Sequence, residues 1–213
     1  MEQLSQIKNI IFDFGGVIVD LDKAATVEAF RSLGFDAESF VGTYGQGGPF
    51  AGLEIGNITP EQFYAEIARL SNGFAHEAIV QNALTPESIR AAWNKMLVGI
   101  PPQRLQKILS LREHYRVFLL SNTNVIHWDF SCDSLFSWQG YRAEDFFEHI
   151  YLSYELHLLK PDEAIFRTVL ERSGLCAEET IFIDDSKDNC RSAEGVGLHT
   201  FCPAHPDDWM NLF

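Results

Sequence analysis

Four short stretches of this chain of 213 residues carry side chains that could do chemistry. Asp13 follows the apolar run Ile10-Ile11-Phe12 and precedes Phe14-Gly15-Gly16-Val17-Ile18. Two glycines let the backbone turn tightly and approach a ligand, so the Asp13 carboxylate is a candidate nucleophile or metal ligand. It could equally cap the turn. Ser121-Asn122 follows Arg116-Val117-Phe118-Leu119-Leu120, and Asp184-Asp185 follows Thr180-Ile181-Phe182-Ile183. Lys160-Pro161 lies between those two. Each stretch alone has a plain structural use: Ser121 as a helix cap, Lys160 as one more surface lysine, the acid pair as a solvated helix start. Their joint occurrence, each at the end of a strand or the start of a helix, points to a site.

The elements around them would bring these groups together. The runs before Asp13, Ser121 and Asp184 are short and continuously apolar, as in strands buried on both faces of a parallel sheet. Further strands are expected at 149–152 and 198–202, with helices over 101–114, 162–173 and 186–196. Strands alternating with helices predict an α/β fold with a parallel sheet and right-handed crossovers. Parallel strands would line up Asp13, Ser121-Asn122 and Asp184-Asp185 along one edge, where open α/β sheets bind their ligands. Residues 20–97 read differently, as all helix. Helices are expected over 24–33 and 75–83, and after two N-caps, Thr59 (with Pro60 and Gln62) and Thr85 (with Pro86). The glycine-rich stretch 42–49 lacks the Gly-Lys-Ser/Thr of a phosphate-cradling loop.

Composition narrows the partners. With 46% hydrophobic residues the chain can fill a core, and its formal net charge of −14 argues against nucleic acid and anionic membrane surfaces. It does not exclude a small anionic substrate held by local cations or a metal. The 4 cysteines are scattered without a metal-binding spacing, as expected of reduced thiols in a cytoplasmic protein. The start of the chain has no basic stretch followed by an apolar run, and no segment is apolar for long enough to span a bilayer. With no heptad seam, a monomer is expected.

The motifs Asp13-Phe14-Gly15-Gly16-Val17, Ser121-Asn122, Lys160-Pro161 and Phe182-Ile183-Asp184-Asp185, in that order, resemble those of the haloacid dehalogenase (HAD)-like hydrolases. The phosphatase-like members with a small helical cap come nearest, and Leu53-Glu54-Ile55-Gly56-Asn57-Ile58-Thr59 matches their cap. The resemblance implies a Rossmann-like α/β core, residues 1–19 and 98–213, with an inserted all-helical cap, residues 20–97. It implies a Mg²⁺-dependent hydrolase of a small phosphorylated metabolite, sugar phosphates first. Asp13 would attack phosphorus and form an aspartyl-phosphate. Asp13, Asp185 and the Gly15 carbonyl would bind Mg²⁺, with Asp184 orienting the metal's water from behind. Lys160 would be the fixed cation beside nucleophile and phosphate, and Ser121 with the Asn122 backbone N–H would hold the transferring oxygens.

The chain also departs from the family. Relatives usually carry a second Asp two residues after the nucleophile, which protonates the leaving oxygen; here that residue is Gly15. His127 is a possible substitute acid, although a structural histidine is the readier explanation. The aromatic residues Trp128, Phe130, Phe136 and Trp138 read as packing. His157 and Leu159 stand where relatives often have Gly and a basic residue. Within the cap, residues 45–50 are expected to face the site. The competing functions are a haloacid dehalogenase, which needs no metal, and a binding protein that keeps the metal site without turnover.

Overall fold

The computed structural model describes residues 6–41, 47–71 and 84–213. The glycine-rich residues 42–46 and the helix expected over 75–83 lie outside them. Five strands form one parallel sheet: β1 (Asn9–Phe12), β4 (Arg116–Ser121), β5 (His149–Leu152), β6 (Thr180–Ile183) and β7 (His199–Phe201), in the order β5-β4-β1-β6-β7. The chain fills one side of β1 with β4 and β5, then returns to the other side with β6. That reversal beside β1 leaves a crevice at the carboxyl ends of the strands, where such sheets bind ligands.

Helices cover both faces, which is why the strand sequences are apolar without alternation. On one face Ile10, Phe12, Val117, Leu119, Ile181 and Ile183 pack with Leu105, Ile108 and Leu111 of α5 (Pro102–Leu111). On the other, Ile11, Phe118, Leu120 and Phe182 pack with Ile165, Phe166 and Val169 of α9 (Glu163–Ser173) and Ala193 of α10 (Lys187–Gly195). The expected aromatic packing is present: Phe14, Trp128 and Phe136 lie within 5.6–5.8 Å of one another, centroid to centroid.

A third apolar cluster belongs mostly to residues between β1 and β4. It joins α1 (Lys23–Ser32), α2 (Gly48–Glu54), α3 (Pro60–Ser71) and α4 (Pro86–Asn94) through Phe30, Phe50, Leu53, Phe63, Ile67, Ile89 and Trp93. The two sequence caps are both closed. The Thr59 hydroxyl accepts from Gln62 N–H while the Gln62 side chain accepts from Thr59 N–H, and Thr85 and Ser88 do the same for α4.

Residues 20–97 are not all helix. β2 (Asp20–Leu21) and β3 (Leu97–Gly99) pair antiparallel at the two crossings between this region and the sheet. Paired crossings hold the two connections together, and the buried Arg104 strengthens that corner. Its guanidinium donates to Asp20 and Asp207, each at 2.8 Å, and to the Ile18 carbonyl at 2.9 Å. A second addition follows β4: α6 (Val125–Phe130), capped by Asn124, runs into a π-helical turn at Ser131–Leu135. Two short helices, α7 (Ala143–Phe146) and α8 (Ser153–Leu156), flank β5.

Candidate active site

Register alone places the acids. Phe12 pairs with Ile183, so Asp13 and Asp184, the next residues on two parallel strands, stand side by side. Phe12 also pairs with Leu119, which carries Ser121 to the same edge. One carboxylate oxygen from each of Asp13, Asp184 and Asp185 lies within 4.8 Å of the others.

Lys160 sits among them. Its buried Nζ donates to Asp13 Oδ1 and Asp184 Oδ2, each at 2.7 Å, and to the Leu120 carbonyl at 3.0 Å. All three ammonium protons are therefore in use. Asn122 fixes the lysine by its backbone: the Asn122 amide donates to the Lys160 carbonyl at 2.8 Å and accepts the Lys160 N–H at 2.9 Å. From sequence, Asn122 is assigned a backbone N–H toward phosphate; its side chain, without a role in that reading, clasps Lys160.

The acids differ in what surrounds them. Asp184 is fully buried and its carboxylate accepts from Lys160, from Asn189 Nδ2 on both oxygens and from Ser186 N–H. Such an acid is saturated and orients its neighbours. Asp13 accepts from Lys160 and Phe14 N–H, both on Oδ1. Burial lifts its carboxyl well above the usual range, Lys160 pulls it back and Asp184 pushes it up again. Asp185, partly exposed, is raised by burial and by Asp184. Burial draws the Lys160 ammonium down, but Asp13 and Asp184 outweigh it and hold it above the ordinary lysine value. Three carboxylates around one ammonium leave an excess of negative charge, all on hard oxygen donors. A small divalent cation fits that set.

Gly16 shows how closely the first loop approaches Asp185. Its φ is +76°, and a Cβ there would lie 2.6 Å from Asp185 Oδ2. Gly15, the residue in place of the family's second Asp, has no such constraint; a Cβ there would meet only the Leu21 side chain, at 3.0 Å.

These groups line a cavity of about 110 Å³, and residues from beyond the sheet complete its wall. They include Lys23 at the start of α1, Glu54 at the end of α2, and Thr123. Burial pushes the Glu54 carboxyl up to about 7 against the pull of Lys160 and Lys23. Burial lowers Lys23, while Asp185 and Glu54 act to raise it. Neither residue was picked out from sequence. Glu54 lay within a stretch recognised as family-like, but nothing in the stretch says that it reaches the sheet edge. The expected residues 45–50 do not supply that wall where they are described: Pro49 and Phe50 are buried, and Phe50 packs edge-on against Phe63 and Trp93 at 5.1 and 4.8 Å.

His127 borders the cavity but is locked. Its Nε2 lies 3.1 Å from the Trp93 carbonyl, which can only accept, so Nε2 carries the proton. Nδ1 accepts from the Asn124 amide at 3.3 Å, and the ring stacks on Trp93 with centroids 4.4 Å apart. Burial lowers its pKa to about 4, so it stays neutral. The plain structural reading of His127 is therefore the better one.

A family model of haloacid dehalogenase-like hydrolases matches residues 7–197. The chain belongs to that family. This HAD-like hydrolase is 37% identical over 204 residues to the D-ribitol-5-phosphate phosphatase of Bacteroides thetaiotaomicron, covering 95% of each chain. Among solved structures it is similar to a HAD family enzyme of the same bacterium crystallised with magnesium and inorganic phosphate. There the TM-score is 0.86 at 40% identity, over 97% of this chain and 99% of that one. A predicted HAD-like hydrolase of Porphyromonas gingivalis superposes with a TM-score of 0.85 at 33% identity, over 98% and 96%. The hydrolase has the Rossmann-like parallel sheet of its family, and no helix among its described residues is long and apolar enough to cross a membrane.

Its departure at His157 also has a physical reason. His157 has φ +54°, the left-handed conformation in which glycine is at ease. The histidine accepts that conformation and uses its ring, with Nδ1 3.0 Å from the Ile55 carbonyl just past α2.

Proposed function

We propose that this hydrolase is a Mg²⁺-dependent phosphatase of a small phosphorylated sugar or sugar alcohol, working through an aspartyl-phosphate on Asp13. The observation that carries the reading is the sheet-edge cluster in which Asp13, Asp184 and Asp185 surround Lys160 beside a cavity of about 110 Å³. The phosphatase named for its relative, and the magnesium and phosphate crystallised with its structural neighbour, support the same substrate class.

The chain's own residues divide the work. Asp13, Asp185 and the Gly15 carbonyl would hold Mg²⁺, and Asp184 would orient them. Bound there, the cation would offset the charge that a phosphoryl group brings to three carboxylates. Asp13 attacks phosphorus through the oxygen that Lys160 and Phe14 N–H leave unoccupied. Lys160, pinned by Asn122, keeps Asp13 oriented and faces the charge that builds on the phosphoryl oxygens. Ser121 and the Asn122 N–H bind those oxygens. Residues 20–97 act as the cap that closes over residues 1–19 and 98–213, excludes bulk water and sets the size of the leaving group.

The dehalogenase alternative is disfavoured by the same cluster, because a carboxylate substrate would meet three acids without needing the cation that relieves them. The test is phosphate release from a panel of pentitol, pentose and hexose phosphates, with and without Mg²⁺. Activity on one of these that disappears with chelator supports the reading. Chloride release from a haloacid without metal, and no phosphate release, overturns it.

A further inference from the structure

The chemistry proposed above needs a proton for the departing oxygen, and Gly15 cannot give one. Among the groups lining the cavity, Ser121, Asn122, Thr123, Ser186 and Asn189 do not titrate near neutrality, and Asp13 and Asp185 are committed to attack and to metal. Lys160 donates all three of its protons within the protein, and both ring nitrogens of His127 are engaged. Glu54 remains. It reaches the cavity from the end of α2, outside the sheet, and shares the lining with Asp13 and Asp185 from the strand ends.

The backbone around Glu54 is seated on the core at three successive residues. The Glu54 carbonyl accepts from Ser153 Oγ at 2.7 Å, and Ser153 Oγ in turn accepts the Thr123 N–H beside Asn122 at 2.9 Å. The Ile55 carbonyl meets His157, as described. Gly56, with φ +75°, lies so close to α8 that a Cβ would fall 2.1 Å from the Tyr154 carbonyl. The backbone that brings Glu54 to the cavity wall is thus held on the core by main-chain contacts instead of by a flexible loop.

We propose that Glu54 is the general acid and base of this enzyme, replacing the carboxylate missing at residue 15; the inference rests on the phosphatase reading. In the first step Asp13 forms a bond to phosphorus and the bond from phosphorus to the leaving oxygen breaks. The Glu54 carboxyl proton passes to that oxygen, giving a neutral alcohol and a carboxylate. In the second step water attacks phosphorus and Glu54 takes its proton. The bond to Asp13 breaks, releasing inorganic phosphate and restoring both carboxyl groups. A carboxyl poised near neutrality suits both directions. The charged and titratable groups around it are Lys23 from α1, Lys160 and His157 from the loops of the core, Asp13 and Asp185 from the strand ends, and His127 from α6.

The test compares wild type with Glu54→Gln and Glu54→Asp on phosphomonoesters graded by leaving-group pKa, in saturating Mg²⁺. Because kcat/KM reports the steps up to departure of the leaving group, Glu54→Gln should lower it for alkyl phosphates by about 10²–10⁴-fold. For p-nitrophenyl phosphate, whose leaving group needs no proton, kcat/KM should stay near wild type. There a burst of one nitrophenolate per enzyme should precede slow turnover, because the second step has lost its base. Glu54→Asp should recover part of the alkyl activity. An equal loss on alkyl and aryl substrates would make Glu54 a binding or structural group, and no loss on either would remove its role; both overturn the proposal. A wild-type enzyme inactive on every phosphomonoester would instead overturn the phosphatase reading itself.

Discussion

Replacing Lys160 by Met should separate metal binding from catalysis. The Lys160 ammonium is 2.7 Å from an oxygen of Asp13 and of Asp184, and all three groups are buried. Breaking a buried ion pair by removing one partner costs about 3–5 kcal/mol, because the remaining charge has no compensation. In a chain of this length each kcal/mol is worth roughly 2–4 °C, so the metal-free variant should melt about 6–20 °C lower. Mg²⁺ affinity should move the other way. A cation on these carboxylates would share Asp13 with Lys160, and repulsion between an ammonium and a divalent ion on the order of 4 Å apart is ~2 kcal/mol even in water. Its removal should tighten Mg²⁺ binding by about tenfold or more, while turnover collapses for want of the cation facing the phosphoryl oxygens. Calorimetric titration with Mg²⁺, thermal melts with and without metal, and steady-state rates read the three effects. A variant that binds Mg²⁺ more weakly than wild type, or whose metal-free stability is unchanged, would refute the arrangement.

Three further outcomes follow from the geometry. Gly16→Ala should weaken Mg²⁺ binding and activity more than Gly15→Ala. The first forces a Cβ against Asp185 Oδ2 at positive φ, whereas the second displaces only the flexible Leu21 side chain; Mg²⁺ titration of both variants checks it. Asn122→Ala removes the two hydrogen bonds that fix the Lys160 backbone, so denaturant melts should show a loss of about 1–3 kcal/mol and kinetics a lower kcat with Mg²⁺ affinity retained. Wild type should lose stability as pH falls from about 6.5 to about 4, because the unfolded chain protonates His127 and the folded one does not. That term is worth about 3 kcal/mol, so the stability difference between wild type and His127→Gln should shrink on acidification; a constant difference from pH 7 to pH 4.5 would contradict it.

Much of the sheet was legible because its strands are buried on both faces. Ile10-Ile11-Phe12, Val117-Phe118-Leu119-Leu120 and Ile181-Phe182-Ile183 are apolar at every position, and the residue after each run is where chemistry begins. The boxes at Thr59 and Thr85 were legible because capping is local. The two-residue strand Asp20–Leu21 was not, since its pairing with Leu97–Gly99 depends on two crossings far apart in sequence. The helix at Val125–Phe130 was read only as an aromatic cluster, although Asn124 before it is a good cap. In the site, residue types identified the acids and Lys160, because each must stand at a strand or helix end. The side-chain role of Asn122 and the positions of Glu54 and Lys23 depend on how distant segments dock, and no local pattern encodes that.

The central claim is that Asp13 carries the phosphoryl group between two half-reactions. Rapid acid quench during turnover with Mg²⁺, followed by peptide mass spectrometry, tests it directly. One phosphoryl group on Asp13, labile to hydroxylamine and missing from Asp13→Asn, is the predicted result. Steady turnover with no phosphorylated Asp13 under conditions where the second step is slow, or undiminished turnover by folded Asp13→Asn, would contradict it.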